Sequence, residues 1–473
     1  SSIQKFGVPI EEATTGSLEA FQAYSLGRRI AREKGSPADI PYYKLAIALD
    51  PNFAVAYVAL GVSYVNLGQP SVGSEYVNKA YALRERVSER ERYRISAYYH
   101  HAVTGELDKA RATYEMWKQS YPRDFAPYIN LGISYTWLGE YEKAVKETAE
   151  ALRLEPGNVL PYSNLAALYI KLGRPDEAKS ILHEALSRKL SSKFVRENLY
   201  MLAFLQGDVA EMDRLVADVR HKPGGEEDPL LSQQSDTEAY YGRLRKAREF
   251  TRLAVGSALN AGAREAAAGW LINDALREAE YGNVAAARKQ IAEALRLSPG
   301  RDVAALAALA SARAGEQEQA EALLQQLERK FSSNTVVKVY WAPTIRAAIA
   351  IAKRNPDHAL QSLESVLPYE LGSPPPMGLA TLYPVYLRGQ AYVLKRQGDA
   401  AAKEFQKVID HPTLVLNYPL HALSFLQLGR AQALSGDVAA ARRSYQDFFR
   451  LWNDADADIP ILKQARRESA KAQ

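Results

Sequence analysis

The sequence contains no cysteine, which excludes disulfides, thiolate-bound metals and cysteine nucleophiles together. No uninterrupted apolar stretch approaches the roughly 20 residues that a membrane-spanning helix requires, so no part of this chain is expected inside a bilayer. Dense blocks of lysine or arginine that would track a phosphate backbone are missing too. Its 60 basic and 55 acidic side chains leave a net charge of +5, and nucleic acid is not an expected partner. The 28 glycines and 23 prolines are dispersed, and 47% of the residues are hydrophobic, which is the make-up of a folded helical protein and not of a disordered one. The opening Ser1 carries neither an initiator methionine nor a signal-like apolar segment, and the chain is read as part of a longer protein.

Motifs of catalysis are equally scarce. His100 and His101 are adjacent, so on a helix they point roughly 100° apart and do not chelate one metal together. The KPGG stretch at 222–225 lacks the spacing of a phosphate-cradling loop. Glu226 and Glu227 sit in that same stretch with no rigid frame to hold them at a catalytic separation. No serine, histidine and acid cluster recurs at a recognisable spacing. The expected number of catalytic, cofactor-binding and metal-ligating residues is therefore none, and no cofactor is expected.

At 473 residues the chain is too long for one compact core, which leaves several domains or one elongated array. Internal periodicity selects the array. Tyr128, Leu131, Gly132, Tyr135, Gly139, Ala144 and Ala151 return 34 residues later as Tyr162, Leu165, Ala166, Tyr169, Gly173, Ala178 and Ala185. Small residues at the eighth and twentieth places let two helices of a hairpin approach closely, and large residues at the fourth and eleventh places fill the flanking grooves. Glycine ends the first helix, and proline stops the second.

This pattern resembles the tetratricopeptide signature position by position. Anchors such as Leu60 and Gly61, Gly105 and Ala110, Gly282 and Ala287, Gly389 and Phe405, and Gly429 and Tyr445 extend it over most of the chain. The expected fold is all-α: a right-handed solenoid of about twelve helix pairs with a C-terminal capping helix. The expected divisions are an N-terminal array over 1–221, a linker or bend over 222–229, a second array over 230–454, and a capping helix and tail over 455–473. A second irregular stretch is expected at 371–377, where LGSPPPM brings three consecutive prolines.

In such arrays helix A of each pair lines the inner, concave face. Val55, Val58, Val62, Val65, Tyr99, Ile129, Ile133 and Trp137 fall on that face in the second to fourth pairs. Two arrangements are open: an exposed apolar strip that a partner segment covers, or side chains packed against neighbouring pairs by tight curvature. Position six carries asparagine in three successive copies, Asn130, Asn164 and Asn198, and Asn273 fits the same place. An amide offers a donor and an acceptor, so a row of them can hold the backbone of an extended peptide. The row is similar to the asparagine ladder of the protein O-glycosyltransferase superhelix. The carboxylate clamp of chaperone-binding tetratricopeptide domains is disfavoured here, because Ile129 and Ile133 stand where lysine and asparagine are required.

The opening SSIQKFGVPIEEATTGSLEAFQAYSLGR and closing LWNDADADIPILKQARRESAK resemble the flanks of the C-terminal repeat region of bacterial membrane-anchored serine/threonine kinases and of related winged-helix regulators. That resemblance implies an effector domain and a membrane helix ahead of this region, with the repeats on the extracytoplasmic side; a cytoplasmic location is the alternative. No kinase motif occurs in the chain itself. The expected function is a non-catalytic scaffold or sensory module of a larger signalling protein that binds a protein or peptide in its groove. The alternatives are the substrate-targeting arm of an enzyme such as a glycosyltransferase and a structural assembly adaptor.

Overall fold

The computed structural model describes residues 15–36, 38–220, 227–376 and 381–471. Among the described residues there are helices and no strands. They form twelve antiparallel pairs. The first six are Leu18–Lys34 with Ile40–Leu49, Ala54–Asn66 with Pro70–Ala82, Glu89–Tyr98 with Leu107–Ser120, Phe125–Trp137 with Tyr141–Leu154, Val159–Lys171 with Pro175–Ser187, and Lys193–Gln206 with Val209–Val219. The other six are Asp228–Tyr240 with Leu244–Asn260, Arg264–Tyr281 with Val284–Leu297, Arg301–Arg313 with Gln317–Lys330, Ala342–Ala352 with Pro356–Glu364, Tyr383–Leu394 with Gly398–Ile409, and Leu420–Leu434 with Val438–Leu451. Helix Pro460–Lys471 then packs on the last pair and on helix Arg264–Tyr281. The fold is an all-α tetratricopeptide-type solenoid with a capping helix.

Local chemistry sets the hairpins. Ser88 starts the third pair with a capping box, its hydroxyl accepting from the Glu91 amide while the Glu91 carboxylate accepts from the Ser88 amide. In the second pair two glycines cross backbone to backbone, since a Cβ on Gly61 would meet the Gly73 carbonyl and a Cβ on Gly73 would meet the Gly61 carbonyl. In the fourth pair a Cβ on Gly132 would run into the Thr148 hydroxyl. The periodic small residues are thus the crossing points of the hairpins.

Helix A departs from regularity in two pairs. A π-helical turn over Tyr99–Thr104 follows helix Glu89–Tyr98, and another over Val337–Trp341 precedes Ala342–Ala352. A short helix, Pro412–Val415, is inserted between the last two pairs. Residues 222–226 of the expected linker lie outside the described residues, while Asp228 and Pro229 already belong to a helix. Met377 and residues 1–14 also lie outside them; at 371–376 the backbone is irregular. One apolar core runs from Leu107 to Ala465, with Val219 and Leu230 both in it, and smaller clusters serve the first pairs.

Curvature is tight. Helix Leu18–Lys34 of the first pair touches helix Val159–Lys171 of the fifth, and Asp228–Tyr240 of the seventh touches Leu420–Leu434 of the twelfth. The His421 ring meets the Tyr240 hydroxyl at 3.0 Å, and the Asn417 amide donates to the Gln233 carbonyl at 2.7 Å. Successive turns also stack edge to edge. The Glu265 carboxylate accepts from the Ser71 amide and hydroxyl, Thr335 donates to the Gly105 carbonyl, Thr413 to the Lys171 carbonyl, and Asp456 to the Gly242 carbonyl. These partners lie 194 to 242 residues apart for the Ser71 and Lys171 contacts, about six to seven repeats of 34. At Gly105, Lys171 and Gly242 the end of an earlier helix A or the turn after it makes the contact, and Ser71 lies in the first turn of helix Pro70–Ala82.

Candidate functional site

Tight curvature decides what the inner face of helix A presents. Val58 is fully buried among Ala54, Ala80 and Ile95, with Val62 half-buried against the same cluster. Val55 is buried beside Phe53 and Tyr24. Ile129 is buried among Ala97, Ala126 and Leu131, whereas Ile133 stays half-buried and Val65 is exposed. Of the two arrangements open from sequence, packing against neighbouring pairs describes Val55, Val58 and Ile129. The π-helical turn rotates Tyr99 onto Tyr81, ring centroids 3.7 Å apart, and Arg84 covers the other ring at 4.0 Å. Trp137 is half-buried, its ring 4.5 Å from His101, and its indole nitrogen is buried with no hydrogen-bond partner.

The asparagines lace one helix A to the previous one. The Asn130 amide donates to the Tyr98 hydroxyl at 3.0 Å and to the Ala126 carbonyl at 2.8 Å. Asn198 donates to the Ser163 carbonyl at 2.8 Å, and Asn273 to the Asp236 carboxylate at 2.9 Å. Asn164 is half-buried. The donations to Tyr98, Ser163 and Asp236 each span a pair boundary, so these amides fix the angle between successive helices.

The two turns of the solenoid differ inside. Helices Asp228–Tyr240 and Arg264–Tyr281 of the second turn are buried around almost their whole circumference. Their polar residues are spent on one another. The Arg277 guanidinium is 2% exposed and donates to Asp274 at 2.7 Å, to Ser235 and Thr251, and to Asp236. Arg248 grips Glu278, and Arg313 and Tyr383 both donate to Glu280. Sequence periodicity did not single out these charges, which sit on helices that also bury Gln234, Glu238, Asn273, Glu278 and Glu280.

Helices A of the first turn retain a partly open inner face: Val62, Ile133, Trp137, Asn164, Glu197 and Asn198 are all half-buried. Burial pushes the Glu197 carboxyl up to about 7, with Lys193 opposing. At the junction with the second turn, burial lowers the Lys171 ammonium to about 8, and its Nζ lies 3.2 Å from the Ser373 hydroxyl. His101 is buried and held down to about 4, by burial first and then by the Arg301 charge across the turn. His100 lies 3.7 Å from Glu106. Among the described residues no group of three or more histidines or carboxylates could hold a metal, and no helix is long and apolar enough to cross a membrane.

An inner face built of successive helices A, cross-linked by asparagine amides, is that of an all-α helical-repeat solenoid. Residues 138–191 and 422–446 match models described as tetratricopeptide repeat. The chain is 40% identical over 78 residues to the chaperone protein YscY of Yersinia enterocolitica, and equally to that of Yersinia pestis. Those matches cover 15% of this chain and 63% of the relative's length. Among solved structures it is similar to yeast Tom70, with a TM-score of 0.36 and 13% identity over 89% of this chain and 96% of that one. It is also similar to the Cut9–Hcn1 hetero-tetramer of the APC/C, with a TM-score of 0.44 and 12% identity over 94% and 83% of the two chains.

Proposed function

We propose that this chain is a non-catalytic scaffold that holds a protein or peptide segment against the inner face of its first turn. The contrast between the two turns carries the reading. Inner polar groups of the second turn are consumed by internal ion pairs, whereas Val62, Ile133, Trp137 and Asn164 of the first turn keep surface to offer. Partly exposed apolar and amide groups side by side suit an extended peptide, whose backbone needs hydrogen bonds and whose side chains need contact area. The chaperone name of the curated relatives fits the same reading, since such a protein holds another polypeptide.

A photo-crosslinking amino acid at Asn164 or at Ile133, compared with one at the exposed Lys179 of an outer helix, tests it. Adducts with one defined partner at the two inner positions and none at Lys179 are expected. Adducts at Lys179 alone would place the partner on the outer surface and end this reading.

The finer assignment, an extracytoplasmic interaction region of a membrane-anchored signalling kinase or winged-helix regulator, is supported by the flanking segments. The sequence upstream of Ser1 in its gene tests it. An effector domain followed by an apolar span is expected there, and a glycosyltransferase domain would favour the substrate-targeting alternative.

A further inference from the structure

Inside the first turn, two arginines from different pairs converge on one phenol. Tyr24 and Arg28 lie on helix Leu18–Lys34 of the first pair, and Arg94 lies on helix Glu89–Tyr98 of the third. Arg28 Nη1 donates to the Tyr24 hydroxyl at 3.3 Å, and Arg94 Nη1 donates to the same oxygen at 3.2 Å. Tyr24 is 6% exposed and wedged against Phe53, ring centroids 5.1 Å apart, and against Tyr43 at 5.9 Å. The oxygen that gathers the guanidiniums is therefore fixed, and the guanidiniums are held with it. Both arginines are half-buried, so solvent still reaches them.

The Glu155 charge acts on Arg28 and the Glu91 charge reaches the Tyr24 oxygen, but neither acid pairs with either arginine. Among the described residues neither Arg28 nor Arg94 has a carboxylate within ion-pair distance. Nearby acids are engaged elsewhere: Glu91 accepts from Ser88 in the capping box, and Glu155 pairs with Arg32 at 3.1 Å. Arg94 Nε is buried and has no hydrogen-bond partner. Burial and the Glu91 charge push the Tyr24 phenol up, yet the Arg94 and Arg28 charges outweigh them and the phenol lies below its ordinary value, as a net positive potential at that oxygen requires. Two planar donor forks, five N–H groups each, face one anchored acceptor with hydrogen-bonding capacity to spare.

We propose that Arg28 and Arg94, gathered by Tyr24, form a receptor for a single anionic group, a carboxylate or a phosphate, inside the first turn. This deepens the scaffold reading above and rests on the inner face being a binding surface; it assigns to that face an acidic anchor point on the bound segment. Carboxylate or phosphate oxygens would take the free edges of both guanidiniums, a geometry that arginine satisfies with two parallel hydrogen bonds.

The test is calorimetric titration of the full chain with N-acetylated, C-amidated tetraglutamate and, separately, with inorganic phosphate, at low salt because half-exposed charges are screened. The variants are R28Q/R94Q and, as a control of equal charge, R29Q/R92Q, since Arg29 and Arg92 are exposed on the same two helices. Affinity is expected to fall at least tenfold in R28Q/R94Q and to hold within about twofold in R29Q/R92Q. A response to tetraglutamate assigns a peptide carboxylate, and a response to phosphate alone assigns free phosphate. Absence of binding by both probes, or equal weakening in the two variants, overturns the receptor.

If R28Q/R94Q does not fold, the wild type provides the readout. Bound anion neutralises the guanidiniums, so the alkaline ionisation of Tyr24, isolated by difference from Tyr24→Phe, moves to higher pH; an unmoved ionisation overturns the proposal. The scaffold reading fails separately, through its crosslinks. Inner-position adducts that persist unchanged in R28Q/R94Q remove the receptor and leave the scaffold.

Discussion

Single atoms at the crossing points govern the hairpins. Gly132 faces the Thr148 hydroxyl so closely that even one methyl group would collide. Gly132→Leu should lower stability by roughly 1–3 kcal/mol through overpacking, read as a shift in the urea midpoint; an unchanged midpoint would show that the crossing yields. His101 supplies a pH effect of definite sign. Folded protein keeps the ring neutral down to about pH 4, while the unfolded chain takes up a proton near the ordinary 6.5. Between those values the unfolded state binds more protons, so this contribution is present above pH 6.5 and is lost as pH falls toward 4, by about 3 kcal/mol. His101→Gln should therefore lose less stability between pH 7.5 and pH 4.5 than wild type in matched denaturant titrations. Parallel losses would mean that the ring is solvated.

Between elements, the deciding contacts are buried ion pairs and amides. Arg277 joins helix Arg264–Tyr281 to Asp236 of the neighbouring helix A and to Asp274 of its own. Removing the guanidinium strands two buried carboxylates, so Arg277→Met should lower unfolding free energy by about 3–5 kcal/mol. Adding Asp236→Asn and Asp274→Asn should recover much of it, and a triple variant no more stable than Arg277→Met would show that charge is not the cause. The helix pairs themselves were legible in the sequence, because small residues at hairpin crossings recur every 34 positions. Legibility stopped at Tyr99 and at the asparagines. A π-helical turn adds a residue to the ladder and turns Tyr99 toward Tyr81, and it leaves no periodic mark. The Asn130 and Asn198 amides reach back to the helix before them, a partner that depends on the angle between pairs.

At the scale of the molecule, two stacked turns meet along small and polar residues. A Cβ on Gly68 would lie 3.2 Å from that of Ala266, close to the ~3.5–4.5 Å span of a disulfide. The chain has no cysteine of its own, so Gly68→Cys with Ala266→Cys introduces a single possible disulfide, at some cost in strain because Gly68 has a φ of 72°. Oxidation should close it in the monomer, seen as a faster-migrating band on a non-reducing gel. Only intermolecular bands would mean that the turns do not stack in solution.

Composition and periodicity by themselves determined the helical class, the approximate number of pairs and the crossing glycines Gly61 and Gly132, because these depend on contacts within a few dozen residues. Tertiary structure alone decided which inner side chains are covered. That depends on the small rotation between successive pairs, accumulated until the fifth pair meets the first and the twelfth meets the seventh. No local spacing encodes that sum, and so the burial of Val58, the ion pairs of Arg277 and the meeting of Arg28 with Arg94 exist only in the folded coil.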